Sequence, residues 1–163
     1  GKSPHEFQEV LKKMNNDVKI KNSEIFDEAA KQEFLKGAKI AYETIITDFS
    51  DDDNILTKSK PLLSKKIHDQ FNNALKERAG RGHFAEITFI GLDSAKIKEH
   101  KKLDNILKVT VDFVAEVITC IKDKDKKIVS GNPEKIKKIY DTWVFSRNIK
   151  SNNPNWQLVD ILT

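Results

Sequence analysis

Residues 106–121 read Ile106-Leu-Lys-Val-Thr-Val-Asp-Phe-Val-Ala-Glu-Val-Ile-Thr-Cys-Ile121. Side chains of a strand alternate between its faces, so Val109, Val111, Phe113, Ala115 and Val117 fall on one side. Asp112 and Glu116, with Thr110 and Val114, fall on the other. One face is apolar and one is mixed, which describes a long strand packed on a core from one side only. Outward from it, Phe84-Ala-Glu-Ile-Thr-Phe-Ile-Gly-Leu92 opens a second strand over 84–99, with Gly91 marking a bulge or bend. Asp123-Lys124-Asp125-Lys126 is a turn, and 127–130 complete a hairpin. Gly131-Asn132-Pro133 interrupts the pattern. Another strand follows over 136–149 around Trp143, and a last one after Asn152-Asn153-Pro154, beginning at Trp156.

The first half is helical. Phe7, Val10, Leu11 and Met14 recur at helical spacing after Ser3-Pro4 and Glu6, a helix-start pattern. A longer helix carries Phe26, Ala30, Phe34, Gly37, Ala38, Ala41, Ile45 and Phe49 on one face, widened by Leu35, Tyr42 and Ile46. Its small residues Gly37, Ala38 and Ala41 suggest close approach of another element. A third helix starts near Ser59-Lys60-Pro61, carries Leu63, Ile67, Phe71 and Leu75 with Leu62 and Ala74 beside them, and stops at Gly80 and Gly82. Helices followed by antiparallel strands give an α+β domain: N-terminal helices packed on a curved four-stranded antiparallel sheet. Residues 1–22 form an amphipathic helix and linker, and residues 23–163 the α+β domain. Long bent strands against a long helix suggest a cone-shaped pocket. From periodicity its wall is expected at Phe34, Ala38, Tyr42, Phe71, Val111, Phe113, Trp143 and Phe145, all of which also suit an ordinary core.

The chain has 163 residues, enough for one domain without disulfides. Its single cysteine, Cys120, points to a reducing compartment. No apolar run is long enough to span a bilayer and no signal peptide is visible, while an anchor upstream of Gly1 is left open. The net charge of +4 arises after residue 80, where 15 basic side chains face 11 acidic ones; before it, 14 face 14. The only arginines are Arg78, Arg81 and Arg147. A lysine surface attracts anionic surfaces diffusely and reads bases poorly, because bidentate reading needs the arginine fork. Nucleic acid is therefore not expected as a partner.

Several chemistries lack their residues. His5, His68, His83 and His100 have no metal-ligand spacing, and Asp51-Asp52-Asp53 lacks the glycine and later glutamate of a calcium loop. Arg78-Ala-Gly-Arg-Gly-His83 is a glycine-rich turn without the Lys-Ser/Thr ending of a phosphate loop. Neither metal nor cofactor is expected. An acid/base pocket would draw on Asp112 or Asp141 with Tyr42 or Tyr140, and Asp112 faces away from the apolar side. No catalytic residue is assigned. A membrane contact has better material: the stripe of Phe7, Val10, Leu11 and Met14 meets Lys12 and Lys13, with Lys19 and Lys21 following, the combination an interfacial helix needs. The same helix also suits packing on its own domain or on a second copy, as in a homodimer.

Several stretches, taken in order, resemble the C-terminal domain of the membrane-tethering subunit of the mitochondrial presequence import motor, the Tim forty-four-like family, and its bacterial relatives. They are Phe34-Leu-Lys-Gly-Ala38, Pro61-Leu-Leu-Ser64, Phe71 through Arg78, Ala85-Glu-Ile-Thr-Phe-Ile-Gly-Leu-Asp-Ser94, Asp141-Thr-Trp-Val-Phe-Ser-Arg147 and Asn153-Pro-Asn-Trp-Gln-Leu158. The resemblance covers about residues 26–162, and the lysine-rich composition suits a bacterial relative. It implies a cystatin-like or nuclear-transport-factor-like fold with a large apolar pocket. It implies a non-enzymatic docking or scaffold role at the inner membrane, with anionic, cardiolipin-like lipid and protein partners. The family's N-terminal region, which meets the import channel and chaperone, has no counterpart here, so that role is not carried over. Two other uses of the pocket stay open: a small apolar-ligand binder, and a pocket enzyme of the ketosteroid-isomerase type.

Overall fold

The structure is a computed structural model that describes Glu6 and residues 26–163. The chain forms two compact units, Gly1–Lys36 and Gly37–Thr163. In the first, the Asp27 side chain accepts from Ala30 N at 2.8 Å and so caps the start of helix α1 (Glu28–Phe49). Phe26 and Phe34 meet edge to face at 5.8 Å within that unit. The expectations placed on Phe7, Val10, Leu11, Lys12, Lys13 and Met14, and on the boundary at Ser23, lie outside the described residues.

The second unit contains the rest of α1, a 3-10 turn at Lys60–Leu62, helix α2 (Lys65–Gly80) and strands β1 (Phe84–Leu103), β2 (Ile106–Lys122), β3 (Ile128–Gly131), β4 (Lys137–Asn148) and β5 (Gln157–Ile161). The strands make one open antiparallel sheet in the order β1-β2-β4-β5, with β3 paired to the far end of β2. The sheet thus has five strands rather than four. The extra one arises because β4 stops pairing at Val117, leaving Cys120, Ile121 and Lys122 for β3.

The predicted alternation holds in β2: Val109, Val111, Phe113, Ala115 and Val117 are all buried. Register carries that face into β4, where Phe145, Trp143 and Asp141 oppose Val109, Val111 and Phe113. The β1–β2 hairpin is longer than expected, since β1 continues to Leu103 and turns through Asp104-Asn105. Asp104 has φ 53°, a conformation aspartate tolerates better than most residues. Three register shifts, at Phe89/Gly91, Leu92/Ser94 and Ile97/Glu99, interrupt β1. Such bulges bend and twist an edge strand, which blunts its open edge.

Two helix details differ from expectation. The third helix begins at Lys65, not at Ser59. Pro61 starts only a single 3-10 turn, after which Leu63 is extended (φ −114°, ψ 137°) and bridges to Leu158 of β5. The α-helix can start only after this bridge, where the Ser64 hydroxyl accepts from Ile67 N at 3.3 Å. Gly37 is not a point of close approach: it is exposed, and a Cβ there would meet nothing within 4 Å. Ala38, Ala41, Tyr42 and Ile45 carry the buried face instead, while Ala74 of α2 is exposed.

Candidate functional site

The eight expected pocket positions can be placed singly. Seven are buried: Phe34, Ala38, Tyr42, Val111, Phe113, Trp143 and Phe145. Phe71 is half-buried, 5.1 Å from Phe49 across the two helices. Phe34 belongs to the first unit and the other seven to the second. There, α1 lays Tyr42 on the sheet, stacked on Phe113 at 4.3 Å and 4.6 Å from Trp143. Phe145 lies 6.3 Å from each of those two sheet aromatics, and Phe89 of β1 is 6.2 Å from Tyr42. Helical and strand periodicity direct these rings to one place. Each such contact adds about 0.5–1.5 kcal/mol beyond the area it buries.

The one polar tie inside this cluster is Tyr42 Oη, which donates to Asp141 Oδ2 at 2.5 Å. Of the four acid/base candidates, the fold brings these two together and leaves the other two out. Tyr140 points to the opposite face and is 68% exposed. Asp112 accepts from the Thr142 hydroxyl at 2.6 Å on that same outer face. Burial pushes the Tyr42 phenol far above its ordinary value, and the Asp141 carboxylate adds to the shift. Burial also raises Asp141, and the bond from Tyr42 partly offsets the rise. Tyr42 is fully buried and its donor is spent on its neighbour. The pair fastens α1 to β4, with the Tyr42 hydroxyl committed to Asp141, which is itself half-buried.

Two polar clusters on the α1–α2 connection were not anticipated. Arg78 donates to Phe49 O at 2.8 Å, to Asp51 O at 2.9 Å and to Asn54 Oδ1 at 2.5 Å, while Asn54 Nδ2 donates to His83 O at 3.3 Å. The fork of arginine satisfies the carbonyls that the end of α1 leaves open. This gives the Asp51-Asp52-Asp53-Asn54 turn a structural use. Burial and the adjacent Asp53 push the Asp51 carboxyl up to about 6. Nearby, buried Asp48 accepts from Ser59 N at 2.9 Å and Ser59 Oγ at 2.6 Å. The only signal in the sequence was the presence of these residue types, because their partners are 11 to 29 positions away.

Cys120 is buried, with its sulfur 3.8 Å from Glu86 Oε2. Burial and that carboxylate raise the thiol, the opposite of what an activated nucleophile needs. Among the described residues no group of three His, Cys, Asp or Glu side chains is placed to hold a metal, and no helix is long and apolar enough to cross a membrane.

The surface is rich in lysine. On the outer sheet face an open depression of about 420 Å³ is lined by Lys66, Lys101 and Lys108 together with Glu99 and Asp160. Lys101 and Lys108 are direct cross-strand partners. Two like charges side by side repel, which marks a surface receptive to anions. Glu99 at 4.0 Å from Lys101 and Asp160 at 3.8 Å from Lys66 temper it.

Across residues 21–163 the chain matches the Tim44-like domain. It belongs to that family. No curated protein is matched by its sequence. Among solved structures, this Tim44-like chain is similar to the intermembrane-space region of the chloroplast protein ARC6, at 13% identity and a TM-score of 0.46, over 79% of this chain and 96% of that one. It is also similar to a de novo designed β-sheet protein solved by NMR, at 13% identity and a TM-score of 0.30, over 80% of this chain and 86% of that one. The helix-on-sheet α+β architecture expected from the resemblance is the one the Tim44-like domain has here.

Proposed function

We propose that this Tim44-like domain is a non-enzymatic, peripheral docking and scaffold domain of the inner membrane of a bacterium, holding anionic, cardiolipin-like lipid and a protein partner. The observation that carries the reading is the division of labour between inside and outside. The interior positions that an enzyme or ligand pocket would use are stacked aromatics, and their one polar pair is closed on itself. The exterior carries the lysines. A domain built this way acts through its surface.

The first contact assigned is the segment with Phe7, Val10, Leu11 and Met14 beside Lys12 and Lys13. A stripe of that kind lies in the bilayer interface, and each lysine near an anionic surface adds about 1 kcal/mol. The same segment could instead join two copies of the chain. Flotation of the full chain with neutral and with cardiolipin-containing vesicles at low salt separates these uses, together with a Phe7→Ser/Leu11→Ser variant and sedimentation equilibrium. Binding that needs the anionic lipid and falls in the variant supports docking. A chain that stays with the supernatant at low salt overturns it. Loss of a dimer in the variant, with flotation unchanged, assigns the segment to self-association.

A further inference from the structure

The region between the end of β2 and the body of β4 has an unusual surface. Residues 124–138 are exposed without a break, yet they are held in defined hydrogen bonding. Asp123 organises the turn: its side chain accepts from Asp125 N at 2.9 Å and Lys127 N at 3.0 Å, and its backbone N–H donates to Lys127 O at 2.9 Å. β3 then pairs with β2 through Ile128, Ser130 and Gly131. Gly131 has φ 81°, and a Cβ there would meet Thr119 O at 2.5 Å. Only glycine lets the arm lie this close to β2. Asn132 closes the next turn by accepting from Glu134 N at 2.9 Å.

This ordered arm presents aliphatic side chains to solvent: Ile128 is 51% exposed, Val129 50% and Ile136 58%. Register sets Ile128 in a row with Lys122 and with Phe84, which is also exposed. The arm holds six lysines, at 124, 126, 127, 135, 137 and 138, against Asp125 and Glu134. That excess of four positive charges equals the formal net charge of the whole chain. Of these six, only Lys138 has an ion pair with another described residue, Asp93 at 3.2 Å. Short β-branched side chains with half or more of their surface open to solvent stand among lysines of which five have no ion pair with another described residue.

We propose that this arm is a second seat on an anionic lipid bilayer, with Ile128, Val129 and Ile136 entering the interface and the lysines lying over the headgroups. It rests on the peripheral docking reading and locates part of it in the second unit. Charge complementarity selects an anionic occupant. The absence of arginine from residues 124–138 favours a fluid headgroup layer, met by diffuse lysine charge, over a protein partner, whose interfaces draw on the arginine fork. Lysine next to exposed aliphatic side chains is the pairing that interfacial binding uses.

The test is vesicle partitioning of the full chain, on phosphatidylcholine with and without cardiolipin. It uses Lys135→Gln/Lys137→Gln, Ile128→Ser/Val129→Ser/Ile136→Ser, and separately Phe7→Ser/Leu11→Ser. The lysine pair should lower partitioning about thirtyfold and the aliphatic triple on the order of tenfold. Melting temperature should not move, because every replaced arm side chain is exposed. If both arm variants partition like the unaltered chain, the arm is not a seat, and docking still stands if the Phe7/Leu11 variant weakens. If the unaltered chain does not partition at all, docking and the arm fall together. If the lysine pair matters, the aliphatic triple does not, and soluble polyglutamate competes fully with the vesicles, the occupant is an acidic protein and the lipid assignment is overturned.

Discussion

Replacing Tyr42 by phenylalanine isolates the tie between helix and sheet. The ring keeps its place on Phe113 and Trp143, so the change removes one hydroxyl and leaves Asp141 without its donor. A hydrogen bond to a charged group contributes about 1.5–3 kcal/mol, and one between neutral groups about 1 kcal/mol. Asp141 is raised in the folded state, so it keeps its proton to higher pH than it does in the unfolded chain. Over that interval the unfolded chain binds fewer protons, and stability falls as pH rises from the ordinary aspartate value through the folded one. The Tyr42 hydroxyl limits that fall by favouring the carboxylate. Without it Asp141 rises further and the fall is steeper. Tyr42→Phe should therefore cost about 2 kcal/mol at neutral pH and about half as much in acid, where Asp141 is protonated in both states. At neutral pH this is a drop of about 4–8 °C in melting temperature for a chain of this size. Urea unfolding at both pH values measures the difference, with Tyr140→Phe as the exposed control expected to stay within about 0.5 kcal/mol. Equal costs at the two pH values, or a cost at Tyr140 as large as at Tyr42, would refute the reasoning.

Arg78→Ala should destabilise by about 2–4 kcal/mol, because it strips donors from the carbonyls of Phe49 and Asp51. Arg78→Lys should recover less than half of that in chemical denaturation, since an ammonium cannot reach three acceptors in a plane. Gly131→Ala forces a Cβ onto the backbone of Thr119 and Cys120 at a positive φ. It should speed amide exchange in β3 by a large factor while the exchange of Val109–Val117 is unchanged, which hydrogen exchange reads directly. Exchange that slows nowhere and quickens equally in both strands would show that the arm is not an independently opening segment.

The sequence by itself determined the elements whose signal is local. Alternation over Val109–Val117 gave the central strand and its buried face, and four-residue spacing gave the long helix. The Asp123–Lys126 turn, the end of α2 at Gly80–Gly82 and the bulge near Gly91 were also legible, because glycine and turn residues act on their immediate backbone. Tyr42, Phe113, Trp143 and Phe145 were expected from periodicity as part of a pocket wall, and they are buried together. Tertiary structure decided the rest. Helix α2 starts at Lys65 because Leu63 is drawn into a bridge with Leu158, 95 positions later. The hairpin partner read at 127–130 becomes a fifth strand of the sheet because β4 leaves β2 at Val117. Tyr42 chose Asp141, 99 residues away, over Asp112, since strand register puts one carboxylate on the helix side and the other outside. Arg78 found its carbonyls only when α1 and α2 were packed. Periodicity tells which side of an element is buried. Register and packing decide which residues meet there, and those depend on contacts between segments far apart in the chain.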